Sequence, residues 1–331
     1  MSGRRILITG VGSSIGCTLA SALERDPGVE DVVGIDTRTP PAALERTEIV
    51  DADIRNPVIS KVVPQAQVDT VVHNQIVRFP SAGMSPRAMH DINVIGTLQL
   101  LAACERSDSI RTIVIRGSAG IYGAEPHAPQ FFREDLTRLF ALRTRFQRDV
   151  AEIENYFQTF ARRRPGITCS VLRYQPAIGP SLDTQITRYL SLPVVPTYLG
   201  FDPRLQFIHE SDALGALLAA VRRPVRGAVN VAGPGTIGLV RMVRLAGKPV
   251  LPTAPPLFGA VTGAAQRAGL LSFSDDFRRL LRYGRGVDIR RLVDEVGFRP
   301  RFSTPEAVTD YLAKQQGRRL VPSLQRAVSP A

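Results

Sequence analysis

Tryptophan is absent from this 331-residue chain, and lysine occurs only at Lys61, Lys248 and Lys314. The residues four places before them are Pro57, Arg244 and Asp310, so a Tyr-x-x-x-Lys pair on one helix face is excluded in every register. Cysteine is also scarce. Cys17, Cys104 and Cys169 are odd in number and far apart, which excludes a disulfide framework and a thiolate metal site and leaves buried structural thiols. Long hydrophobic runs are missing. The most apolar stretch, residues 257–273, is broken by Gln266 and Arg267 and is too short and polar to span a bilayer. Residues 1–5 lead straight into the first apolar run, with no room for the core of a signal peptide. A cytoplasmic protein with no membrane partner is expected.

The formal charge is +12, almost all of the positive side being arginine. Nucleic-acid recognition would add a basic stripe with interleaved aromatics or a reading motif. The densest stretch, from Arg278 to Arg301, has neither. A solvated face or a pocket for an anionic small molecule is the better reading, and no nucleic-acid partner is expected.

Hydrophobic content of 44% and charged content of 22% are ordinary for a globular domain, and the length suits one large α/β unit with a smaller lobe. Short β-branched runs at 6–9, 32–35, 47–50, 70–73, 112–116 and 168–173 alternate with helical patterns near 15–24, 56–63, 87–106 and 142–163. That alternation predicts a doubly wound parallel sheet of the Rossmann kind. After Pro176 the texture becomes rich in Pro and Gly, with a helix at 211–222, a strand at 228–232 and an extended linker at 249–256. The expected division is a dinucleotide-binding domain over 1–175, with returns near 205–233. A smaller substrate lobe covers most of 176–317, and 318–331 is a flexible tail.

The first run passes into Thr9-Gly10-Val11-Gly12-Ser13-Ser14-Ile15-Gly16, a glycine turn opening a helix. Gly10 permits a tight turn, and Gly16 lets the helix lie close to the strand. The helix N-terminus then offers amides and a positive dipole end to a pyrophosphate. Asp36 ends the second run, where a carboxylate accepts bonds from the adenosine ribose hydroxyls and repels a 2′-phosphate. NAD is thus favoured over NADP, with Arg38 as the opposing signal. Asp53-Ile54, after the third run, places a carboxylate near an adenine amino group; as an alternative, Asp53 caps the helix near Asn56.

With these stand Asp69-Thr70-Val71-Val72-His73, Asn93-Val94-Ile95-Gly96-Thr97, Ser118-Ala119-Gly120-Ile121-Tyr122-Gly123, Leu172-Arg173 with Gly179-Pro180, residues 207–212 and Gly297-Phe298-Arg299-Pro300. Together they make the chain resemble the extended short-chain dehydrogenases/reductases, the NAD-dependent epimerase/dehydratase family of UDP-glucose 4-epimerase and the nucleotide-sugar dehydratases. The resemblance implies NAD as cofactor, a small-molecule substrate and a cofactor wall that includes Asn74, Gln75 and Asn93. It also implies Ser118 as a hydrogen-bonding hydroxyl, Tyr122 as structural, and the two long helices as candidates for a homodimer contact.

Four departures accompany it. Ser13 replaces a glycine of the turn, Asn74-Gln75-Ile76 replaces Leu-Ala-Ala, and Pro176 replaces an asparagine. Most consequentially, Phe146 and Val150 stand where the resemblance implies the acid/base Tyr and its Lys. General acid/base catalysis contributes roughly 10²–10⁴ in rate. Rebuilt acid/base groups are therefore sought among Asp149, Arg148, Arg145, His90 and His127, with a surface ion pair as the plainer reading of Arg148 and Asp149. The first expectation is an NAD-binding enzyme with non-standard acid/base groups. The alternatives are a non-catalytic dinucleotide-binding sensor or partner subunit, and a redox-neutral isomerase or lyase.

Overall fold

Seven parallel strands build the central sheet in a computed structural model that describes residues 3–78, 84–136, 139–267 and 273–327. They are β1 Arg4–Thr9, β2 Val29–Asp36, β3 Thr47–Asp51, β4 Thr70–His73, β5 Thr112–Ser118, β6 Thr168–Tyr174 and β7 Gly227–Val231. Their order across the sheet is β7-β6-β5-β4-β1-β2-β3, so the direction of winding reverses between β1 and β4. Crevices at such reversals, beyond the carboxyl ends of the strands, are where ligands bind in open α/β sheets.

Side-chain alternation along the strands feeds two separate cores, as it must in a sheet covered on both faces. Leu7, Val33, Ile35, Val71, Ile113, Ile115 and Val171 face one way, against α2 (Ile59–Gln65), α3 (Gly96–Glu105) and α4 (Arg145–Arg163). Ile6, Ile8, Val72, Val114, Leu172 and Val229 face the other, against α1 (Ser14–Glu24) and α5 (Glu210–Arg222). The fold is the doubly wound α/β sheet expected. A third core, including Tyr189, Phe207, Phe258 and Leu281, holds the C-terminal lobe together.

Several boundaries move. The helix read over 87–106 is three pieces: Pro86–His90, a π turn at Asp91–Ile95, and α3. The helix expected from 56 begins at Ile59; before it Asn56 spends its side chain on the Val58 amide. The linker at 249–256 contains a strand, Val250–Thr253, paired in parallel with Val195–Tyr198. Its Pro252 is tolerated because that two-stranded sheet consists only of edges. The last helix, Thr304–Ala327, runs through 318–327, which were expected to be tail; residues 328–331 lie outside the described ones.

Cys17, Cys104 and Cys169 are free and buried. Burial pushes the Cys104 thiol up to about 12 and that of Cys169 to about 11. Among the described residues no helix is long and apolar enough to cross a membrane.

Candidate functional site

The glycine turn closes on itself before any ligand is considered. Gly10 has φ +76°, a left-handed conformation that favours glycine. A Cβ on Gly16 would stand 2.1 Å from the Gly10 carbonyl oxygen, so the close helix–strand approach needs glycine there. Ser13, in place of the usual glycine, caps α1: its Oγ accepts from the Gly16 amide at 3.1 Å and donates to Gly10 O at 2.7 Å. The first-turn amides of Ser14 and Ile15 have no acceptor within the helix and are its natural anion donors.

Asp36 is almost fully buried and reaches into this turn. One carboxylate oxygen accepts from the Gly12 amide and the other from the Arg38 amide, both at 3.0 Å. The oxygen held by the Arg38 amide also meets the Arg38 Nε at 3.5 Å, so the oxygen facing Gly12 is the one that retains a second lone pair. The Arg38 carbonyl lies so close to Gly12 that a Cβ there would meet it at 2.4 Å. The acceptor, the open amides and the glycine geometry together fit the adenosine and pyrophosphate half of a dinucleotide.

Thr9 and Asn93 make hydrogen bonds within the protein. The Thr9 hydroxyl bonds His73 Nδ1 at 2.7 Å, while Asn93 both accepts from the Val77 amide and donates to its carbonyl, pinning the segment after β4. Asn74 crosses the crevice: its amide donates to Ser13 Oγ at 3.1 Å and Gly10 O at 3.3 Å. Gln75 backs Gly10, where an added Cβ would meet its backbone at 3.1 Å. Asp53 neither joins this cluster nor caps a helix. It grips the guanidinium and amide of Arg55, whose hydrogen bond holds its carboxyl below the ordinary value. Ile54 is fully buried against Gly96.

At the end of β5, Ser118 Oγ accepts from the Gly120 amide at 3.1 Å and keeps its own proton to donate. Phe146 and Val150 reach the same place from α4, started by a capping box between Thr144 and Gln147. Their side chains are only 8% and 2% exposed, in an apolar cluster with Met89, Ala119, Ile121, Tyr122 and Phe132. No proton donor and no cation stand at either position. Tyr122 is structural, its hydroxyl donating to Asn230 Oδ1 at 2.7 Å and accepting from Arg173 at 2.8 Å.

The surface ion pair between Arg148 and Asp149 does not exist, because adjacent helix positions do not face each other. Arg148 is exposed, whereas Asp149 is buried and bonded to His90 Nδ1 at 2.8 Å, its second oxygen lacking a protein partner. Residues not anticipated from the sequence also gather here. Arg78 donates to Gly117 O at 2.9 Å, and Arg116 donates to Asn74 Oδ1 at 3.3 Å. A charged residue inside the apolar run of β5 was the available signal for Arg116. Among the described residues no His/Cys/Asp/Glu cluster could hold a metal ion.

The sequence model of the NAD dependent epimerase/dehydratase family matches residues 6–232. An uncharacterized protein of Mycobacterium tuberculosis is 36% identical over 323 residues, covering 96% of this chain and 85% of that protein. Among solved structures, UDP-N-acetylglucosamine 4-epimerase from Methanobrevibacter ruminantium superposes with a TM-score of 0.73 at 19% identity, covering 96% of this chain and 100% of that one. The dTDP-glucose 4,6-dehydratase of Bacillus anthracis, solved with NAD, gives 0.70 at 16% identity, covering 96% and 98%. Likeness at that identity establishes the fold and leaves substrate open.

Proposed function

Because the chain belongs to the NAD-dependent epimerase/dehydratase family, we propose that it binds NAD and a small molecule in the family crevice without the Tyr–Lys acid/base pair. One observation carries this reading: Phe146 and Val150 are sealed in an apolar cluster while Gly10, Gly16 and Asp36 keep a dinucleotide geometry. When bound, NAD supplies a hydride acceptor. The chain's own residues then provide little to move the accompanying proton. Ser118 can donate a hydrogen bond to a ligand oxygen, but neither position on α4 can take or give a proton, and neither carries the charge that would lower a phenol's pKa. The expected behaviour is cofactor binding with loss of the family's ordinary turnover.

Calorimetric titration of the full chain with NAD, beside a turnover panel of alcohols, carbonyls and sugar nucleotides, tests this. Saturable NAD binding with no nicotinamide turnover is expected. Rapid turnover, or failure to bind NAD, would overturn it.

A second reading, in which the site does turn over its ligand, is favoured by the His90–Asp149 pair. A buried carboxylate that orients one imidazole nitrogen leaves the other for proton transfer, the arrangement used by catalytic histidines. Under that reading His90→Gln removes turnover while NAD affinity stays constant.

A further inference from the structure

Three arginines converge on the β4–β5–β6 side of the crevice, and among the described residues none of them is hydrogen-bonded to a carboxylate. Arg78 and Arg116 both lie over the Tyr174 ring, their guanidinium carbons 5.8 and 5.4 Å from its centroid. Tyr174 is held from behind, its hydroxyl donating to Ala213 O at 2.9 Å. Arg285, only 5% exposed, comes from the C-terminal lobe and bonds Gln175 Oε1 and Gly123 O, each at 3.3 Å. The acceptors around the three are neutral carbonyls and amides. The Nε atoms of Arg78 and Arg116 are buried with no protein partner.

Buried charges are ordinarily paired, because an unpaired ion inside a protein forfeits its hydration without recompense. Among the described residues none of the three arginines forms an ion pair; Asp276 acts on Arg285 only through its field. Burial pushes all three guanidiniums below their ordinary value, and the charges of Arg116 and Arg285 push Arg78 further down. A guanidinium does not readily escape such a place by losing its proton. An anion is the missing partner.

Position makes the partner a ligand. The carbonyl held by Arg78 belongs to Gly117, immediately before Ser118. Arg116 precedes Ser118 by two residues on the same strand, so both side chains leave the sheet on one face. The cluster therefore opens beside the Ser118 hydroxyl, at the end of the crevice from which the Tyr–Lys pair has gone. We propose that Arg78, Arg116 and Arg285 form a pocket for a phosphoryl group of the small-molecule ligand, with Ser118 donating to it. A phosphoryl dianion offers three oxygens to guanidiniums arriving from different elements and neutralises more of the cluster than a carboxylate does. The pocket rests on the proposed function for its ligand but not for its chemistry, since it forms without NAD.

The experiment is calorimetry and thermal unfolding of the full chain with inorganic phosphate, inorganic pyrophosphate and acetate at matched ionic strength, with and without saturating NAD. Phosphate or pyrophosphate is expected to bind saturably at one site and raise the melting temperature, and acetate to bind neither form of the protein. Arg78→Gln and Arg116→Gln should each weaken that binding about tenfold or more, while the exposed Arg244→Gln leaves it unchanged. In phosphate-free buffer Arg116→Gln should unfold no earlier than the wild type, because removing one of three like charges relieves repulsion. A merely structural Arg116 would lower the melting temperature and leave phosphate affinity intact. Absence of saturable phosphate binding, equal binding by acetate, or unchanged affinity in both variants would overturn the pocket. So would displacement of phosphate by NAD, which would assign the arginines to the dinucleotide's own phosphates. Persistent phosphate binding in a chain that ignores NAD would sink the dinucleotide reading alone.

Discussion

The Phe146 ring rests on Gly120 so closely that a Cβ at position 120 would come within 3.0 Å of its edge. The aromatic side chain on α4 and the bare backbone after Ser118 have thus been fitted to each other. Valine at 150 completes the seal. Restoring the family pair should therefore be costly at one position and mild at the other. Val150→Lys puts a charge into an apolar cluster and is expected to cost about 3 kcal/mol or more, with the new ammonium losing its proton more readily than usual. Phe146→Tyr should cost about 1–2 kcal/mol. Urea unfolding followed by circular dichroism measures both, and an unchanged unfolding free energy for Val150→Lys would show that the cluster admits water.

His73 ties three elements together beneath the same crevice. Thr97 gives its hydroxyl proton to the Asn93 carbonyl, so it accepts from His73 Nε2 at 2.8 Å, and Nδ1 accepts from Thr9. The ring is neutral, and burial holds its pKa down at about 4, against 6.5 in the ordinary case. The unfolded chain takes up the proton first as pH falls, so stability is complete above pH 6.5 and drains away from there to about 4. The loss from this one residue should approach about 3 kcal/mol. His73→Gln, compared with the wild type at pH 7 and pH 4.5, should flatten that part of the dependence. An identical slope would remove His73 as its source.

Arg173 and Glu154 form a bidentate pair, 2.9 and 2.6 Å, almost wholly out of water. Arg173 also stands over the Tyr122 ring, 5.2 Å from its centroid. Cutting one side leaves a buried, unmatched charge, so Glu154→Ala should destabilise the chain by about 3–5 kcal/mol. Replacing both residues by methionine should recover much of that. A small effect of the single change, read by chemical denaturation, would mean that water reaches the guanidinium.

Gly16→Ala should separate α1 from β1, since the new methyl cannot coexist with the Gly10 carbonyl at 2.1 Å. NAD affinity is expected to fall by roughly tenfold or more, because the amides at the helix start would no longer face a pyrophosphate. Calorimetry beside a melting curve distinguishes this from simple unfolding. Undiminished affinity in a folded variant would place the dinucleotide elsewhere.

The sheet was legible because a parallel strand buried on both faces reads as a nearly unbroken apolar run; the exposed edge strand β3 was legible only from its short Ile49-Val50 core. The glycine turn was legible because its geometry admits few other residues. The π turn at Asp91–Ile95 was not, since one extra residue in a helix leaves no mark on an amphipathic pattern. The pairing of Val250–Thr253 was hidden by its prolines. The arginine cluster depends on residues from three distant segments, two of them meeting over Tyr174 and the third held by Gln175 and Gly123, which no spacing within a segment can announce. Arg116, alone among the isoleucines and valines of β5, was the one visible trace. The exchange of Asp149 from a surface partner to His90 followed from helix phase, which was available but was outweighed by adjacency in the chain.

The apolar seal around Phe146 also governs wetting. In the proposed pocket, a ligand oxygen lodged beside Ser118 would have hydrocarbon on one flank and guanidiniums on the other. In such a corner the field of each cation reaches farther than it would at a surface. The side chains at 146 and 150 would thereby make the proposed pocket a place where negative charge, once admitted, is held firmly.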